Sequence, residues 1–192
     1  MTAILFRGGM CGDLILGMID PNSVKQKTGY NDKITDSGIN AFRFKPARYI
    51  MKKFHLYDND YKKNYNQKLK DTYFLTHDTD FCMKQSTNVV QIVSDPKMHY
   101  KFANRFAKHY SHRPNVLREA YKHIKKTSNF VDDYASSLTE WQQAFKFERQ
   151  YNITDIFKKS FVERTVEYFK TDNYDWAKSI YDEWYIRNQS IW

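Results

Sequence analysis

The chain has 192 residues, of which 41% are hydrophobic, 17% aromatic and 28% charged, a balance that supplies a packed core and excludes global disorder. Its net charge of +9 points either to an anionic partner or to a lysine-rich solvated surface. Two cysteines, Cys11 and Cys82, are too few for a disulfide framework or a zinc set, and no apolar run approaches a membrane span.

Residues 3–7 read as a short buried strand. Gly8-Gly9-Met10-Cys11-Gly12-Asp13 follows as a turn that holds three of the six glycines. Leu14, Ile15 and Met18 then recur at helical spacing. Strand, glycine turn and helix start make the pattern of a phosphate-binding loop. Glycine lets backbone N–H groups converge on an anion, and the helix start adds its positive dipole end. Asp13 stands where such loops carry Lys, Ser or Thr, and no G-K-[ST] ending is present. Pro21 and Asn22 are expected to end the helix, and residues 22–40 read as surface loop.

Residues 42–70 are strongly basic. Tyr49, Ile50, Phe54 and Leu56 predict a helix after Pro46. Tyr73-Phe74-Leu75-Thr76-His77 reads as a second buried strand, with Asp78, Thr79 and Asp80 in a loop. Asn88–Val93 is the clearest strand, β-branched and apolar. It runs into Ser94-Asp95-Pro96 and a helix from Lys97. That helix is expected to turn Tyr100, Phe102, Ala103, Phe106 and Ala107 inward and Lys101, Arg105 and Lys108 outward. Pro114 opens a further helix, and from Lys97 to Lys126 only Glu119 opposes the basic residues. Residues 128–192 read as helical. Leu138, Trp141 and Phe145 form one stripe, Thr154-Asp155 cap a helix running to Phe169, and Trp176, Ile180 and Trp184 form a last stripe.

This order predicts an α/β fold with a parallel sheet flanked by helices and an aromatic-rich helical C-terminal part. One domain spans residues 1–192, with the sheet and phosphate loops in 1–110 and mainly helix in 111–192. Ligands of such sheets sit beyond the carboxyl ends of the strands. The segments Gly8–Asp13, Thr76–Asp80 and Ser94–Lys97 therefore converge by topology. His77, at a strand end, is a candidate general base or a hydrogen-bonded structural histidine. Asp78 and Asp80 are candidates to orient it, to bind a metal or simply to cap a loop. Ser94 and Lys97 either hold a phosphate at a helix N-terminus or belong to a simple helix cap. The remaining histidines form no metal-ligand pattern.

The three strand ends together resemble the P-loop sulfotransferase family. Arg7-Gly8-Gly9-Met10-Cys11-Gly12-Asp13-Leu14 stands where that family has its 5′-phosphosulfate loop. Leu75-Thr76-His77 is similar to its Lys-Thr-His catalytic segment, with Leu75 in place of Lys. Val89–Val93 running into Ser94-Asp95-Pro96-Lys97 is similar to its R-[ND]-P-[KR] segment, with Ser94 in place of Arg. The resemblance covers roughly residues 3–110. It implies phosphoadenosine phosphosulfate as donor and sulfuryl transfer to a hydroxyl acceptor. It also implies His77 as the group that takes the acceptor's proton, with Arg7, the Gly9–Asp13 amides, Ser94 and Lys97 around the donor. The Asn-, Lys- and Tyr-rich composition is similar in style to proteins carried by bacteriophages. An alternative reading is a non-catalytic viral accessory, virion-associated or host-interaction protein on a decayed P-loop fold, with a protein partner; the charge also permits nucleic acid. The start of the chain lacks the pattern of a signal peptide, so a cytoplasmic protein is expected, in the host cytoplasm or the virion if viral.

Overall fold

A computed structural model describes residues 2–21, 73–76, 79–85, 88–111, 114, 117 and 129–188. The expected basic helix after Pro46, most of the helix opened by Pro114, and both His77 and Asp78 lie outside those residues.

The described chain runs β1 (Thr2–Leu5), α1 (Gly12–Ile19), β2 (Tyr73–Thr76), α2 (Thr79–Gln85), β3 (Val89–Val93), α3 (Pro96–Tyr110), α4 (Phe130–Ala144), β4 (Arg149–Asn152), α5 (Phe161–Phe169) and α6 (Tyr174–Asn188). The strands form one sheet in the order β2-β1-β3-β4, and every pairing is parallel. Strands β1 and β3 occupy the centre. Every residue of β3 is buried, Gln91 included, as a Val/Ile-rich strand covered on both faces requires.

Adjacent residues of a strand face opposite sides, and the two sides of β3 meet different helices. Gln91 turns toward the segment that leaves α4: its Nε2 donates to the Phe145 carbonyl at 2.8 Å, and its Oε1 accepts from the Phe147 amide at 3.3 Å. Ile92 pairs in register with Tyr151. The Tyr151 ring packs among Phe161, Tyr168 and Phe169 of α5, and its hydroxyl meets Thr165 Oγ1 at 2.6 Å. Helices α3 and α4 pack on each other, while α1, α5 and α6 form a second group. Trp176 ties that second group together by donating its indole N–H to the Gly17 carbonyl at 2.8 Å.

Strand β4 is the element that the pattern of residues 128–192 hides. Arg149-Gln150-Tyr151-Asn152 shows one buried position among four, so it carries no apolar alternation strong enough to read. Its register comes from Gln91, whose fully buried amide also accepts from Gln150 Nε2 at 2.9 Å. Three further expectations change. Thr79 and Asp80 lie in helix α2 rather than a loop. Phe145 is the extended C-cap residue of α4 rather than part of its stripe. Residues 154–160 form turns, and the helix begins only at Phe161.

Candidate functional site

In the order β2-β1-β3-β4, the chain leaving β1 reaches β2 on one side, and the chain leaving β3 reaches β4 on the other. The two connections diverge between β1 and β3. That is the topological switch point, where open parallel sheets place ligands beyond the carboxyl ends of their strands. Arg7–Asp13 follows β1, and Ser94–Lys97 follows β3. The parallel pairing of β2 with β1 brings the end of β2, just before His77, to the same edge.

The β1 turn is shaped by close packing. The Met10 amide donates to the Arg7 carbonyl at 3.1 Å, which closes the turn. Gly9 adopts φ +84°, a left-handed conformation, and a Cβ there would lie 2.7 Å from the Phe102 carbonyl oxygen of α3. A Cβ on Gly8 would come within 2.5 Å of the Phe106 ring and 2.8 Å of the Tyr134 hydroxyl. The glycines thus let α3 and α4 approach the turn. Tyr134 closes the contact by donating to the Gly8 carbonyl at 3.3 Å, within a stack of Phe106, Tyr134 and Phe130 rings. Met10 points into the core, fully buried.

Cys11 is the N-cap of α1, with φ 54°, and its side chain makes no cap hydrogen bond. Its buried thiol receives a hydrogen bond from Arg105 at 2.9 Å. Burial pushes the thiol above its ordinary value, and the Arg105 charge pulls the other way; the net direction keeps it protonated rather than nucleophilic. Gly12 and Asp13 open the helix, with Asp13 an acidic group in the first turn.

Two arginines flank the turn, each lying over a tryptophan. The Arg7 guanidinium sits 5.3 Å from the Trp141 ring centre, and burial presses it below its ordinary value. Trp141 donates its indole N–H to Thr79 Oγ1 at 3.0 Å, so one ring links the ends of β1 and β2. Arg105 lies 5.8 Å from the Trp184 ring centre and also donates to the Gly9 carbonyl at 3.2 Å. Helical spacing places Arg105 outward and Tyr100 inward; the structure reverses both. Arg105 is 3% exposed and Tyr100 55%. The carbonyl and the thiol left by the β1 turn give that end of α3 a polar surface that an arginine satisfies better than a tyrosine ring.

The β3 turn is built by side-chain hydrogen bonds. Asp95 Oδ1 accepts from the Lys97 amide at 2.9 Å and caps α3. Thr154 Oγ1 accepts from the Asp95 amide at 2.7 Å. The Gln142 amide spans Ser94, accepting from its N–H and donating to its carbonyl, each at 2.9 Å. Lys97 is exposed. Ser94 is buried, and its hydroxyl has no hydrogen-bond partner among the described residues.

His99, one helical turn into α3, carries no signal in the sequence but is 1% exposed. Thr139 gives its hydroxyl proton to the Ala135 carbonyl, so at 2.7 Å His99 Nδ1 is the donor to Thr139 Oγ1. Nε2 is then the basic nitrogen, buried without a partner among the described residues. Burial holds the ring below its ordinary value.

Fold and turn geometry together define an α/β protein with a parallel sheet and a helix N-terminus at its switch point. No family model matches the sequence, and neither curated proteins nor solved structures gave a match. Among the described residues no helix is long and apolar enough to cross a membrane.

Proposed function

We propose that this protein binds a nucleotide-borne phosphosulfate at the β1/β3 switch point and transfers its sulfuryl group to a hydroxyl acceptor. The carrying observation is the start of α1. It lies at the switch point beside Arg7 and has no side-chain cap. The first N–H groups of any α-helix lack intrahelical partners and favour an anion. That donor set fits a phosphosulfate, although Asp13 in the same turn opposes it. Phosphoadenosine phosphosulfate supplies the sulfuryl group. The chain's part is to hold the donor's charge with Arg7 and the first turn of α1, and to take the acceptor hydroxyl's proton on His77. The capped β3 turn leaves Ser94 and Lys97 as walls of the crevice rather than primary anion ligands. Isothermal titration with adenosine 3′,5′-bisphosphate, the product of such a transfer, tests the reading. Saturable binding that Arg7→Gln weakens at least tenfold supports it; folded protein that takes up no heat at millimolar ligand overturns it.

A second reading has its own support. The side-chain space of Gly8 and Gly9 is filled by Phe102, Phe106 and Tyr134, as in a turn kept for packing alone. On that reading the protein is a non-catalytic interaction protein, and Lys97, Lys101 and Lys108, all exposed on α3, face its partner. It predicts that His77→Ala changes no activity and that charge reversal of those lysines releases a co-purifying protein.

A further inference from the structure

A cleft of about 650 Å³ opens at the amino edge of the sheet, opposite the switch point, in the size range of small-molecule sites. Its walls come from the start of β2 (Tyr73), the start of β4 (Glu148, Arg149) and the end of α5 (Tyr168, Phe169, Lys170). The aromatic wall is braced from behind. Tyr73 meets Phe169 edge-on at 5.5 Å, and Tyr168 meets Phe169 at 5.0 Å. Tyr73 also donates its hydroxyl to the Phe169 carbonyl at 3.3 Å. Burial raises both tyrosine phenols, and the charge of Arg149, which lines the same cleft, pulls each the other way.

Lys170 is the second, independent observation. Its amide donates to the Glu167 carbonyl, and the Thr171 amide donates to the Val166 carbonyl. Those paired bonds are the Schellman ending of a helix, whose left-handed position glycine normally fills. Lys170 sits there at φ 52°. The fold alone favours glycine at that position, whereas lysine brings a second cation to the cleft.

We infer that this cleft is a ligand site for a flat aromatic ring bearing a phosphate, of nucleoside monophosphate chemistry. The ring lies along the Tyr168 and Tyr73 wall, where stacking tolerates any base. The phosphate dianion takes Arg149 and Lys170, whose exposed side chains supply fork and point-charge donors. Glu148 at the rim accepts from sugar hydroxyls. The site lies at the opposite edge of the sheet from the proposed donor crevice and does not depend on it.

Titration of the whole protein with adenosine 5′-monophosphate, followed by calorimetry, tests this inference. Binding is expected to weaken at least tenfold in Arg149→Gln and to be unchanged in Arg7→Gln. Inorganic phosphate alone is expected to bind at least tenfold more weakly than the nucleotide. Lys170→Gly separates ligand role from fold role: it should weaken binding severalfold while raising the melting temperature by about 2–4 °C, because the left-handed strain is relieved. The inference is overturned if the nucleotide does not bind at millimolar concentration, if Arg7→Gln rather than Arg149→Gln abolishes binding, or if phosphate alone binds as tightly. It is equally overturned if Lys170→Gly stabilises the protein without weakening the complex.

Discussion

The turns after β1 and β3 hold equivalent places at one edge of the sheet, yet opposite means build them. After β3, hydrogen-bonding side chains do the work: Asp95 caps α3, Thr154 accepts from the Asp95 amide, and Gln142 spans Ser94. After β1, there is no side-chain cap. Glycines admit α3 at van der Waals range, and Arg105 ties the turn down through a carbonyl and a thiol. The difference separates two candidate anion sites that look alike as sequence. A helix whose first turn is already capped has less to offer a phosphate than one whose cap residue makes no side-chain bond to the helix amides.

Breaking the β1 turn should have the largest effect. Gly9→Ala meets a backbone carbonyl that cannot move aside and a left-handed φ, so it should destabilise the fold by about 3 kcal/mol in chemical denaturation. Gly8→Ala should be milder, because its Cβ would meet side-chain atoms of Phe106 and Tyr134 rather than a backbone carbonyl. Parity between the two substitutions would contradict the steric account. Next is Arg105→Met. It removes hydrogen bonds from a buried cation to Gly9 and Cys11, with an expected loss of about 2 kcal/mol; a loss within error of zero would mean that packing alone holds the turn.

The β3 turn should respond as a cap does. Asp95→Ala is expected to lower stability by about 1 kcal/mol and to leave bisphosphate affinity unchanged. A clear drop in affinity would move the anion site to this turn. The last effect concerns His99 and appears only as pH falls. The unfolded imidazole takes up a proton as pH falls through its ordinary 6.5, while burial keeps the folded one neutral to lower pH. The unfolded state then binds more protons, so stability falls as pH drops below 6.5 and levels off below the depressed folded value. The slope from this one group is at most about 1.4 kcal/mol per pH unit. Denaturation of wild type and His99→Gln at pH 7 and pH 5 should show the larger acid loss in wild type; parallel losses would mean that His99 is not held neutral.

The central strands were legible because apolar runs bounded by turn residues leave little choice: 3–7 and 88–93 fall on β1 and β3 within two residues at each end. Parallel pairing, and hence the convergence of strand ends, followed from the strand–helix order. Strand β4 was not legible, because its register comes from Gln91, a residue 58 positions before Arg149 in the numbering, rather than from its own pattern. The meeting of the β1 and β3 turns at one end of the sheet was legible, but the way each turn is built was not. Spacing sent Arg105 outward with Lys101 and Lys108, since periodicity cannot see that the β1 turn presents a carbonyl and a thiol to α3. The choice between phosphate ligand and helix cap at Ser94–Lys97 depended on whether Asp95 reached the Lys97 amide, a fact of side-chain geometry.

The most direct test of the difference between the two turns is residue-resolved. Backbone amide resonances can be followed by NMR as adenosine 3′,5′-bisphosphate is added. An anion at the uncapped helix start should shift the amides of Gly12, Asp13 and Leu14 saturably, with the Lys97 and Met98 amides, already bonded to Asp95, left in place. Saturable shifts centred on Lys97 and Met98, or none at Gly12–Leu14 at millimolar ligand, would contradict the account.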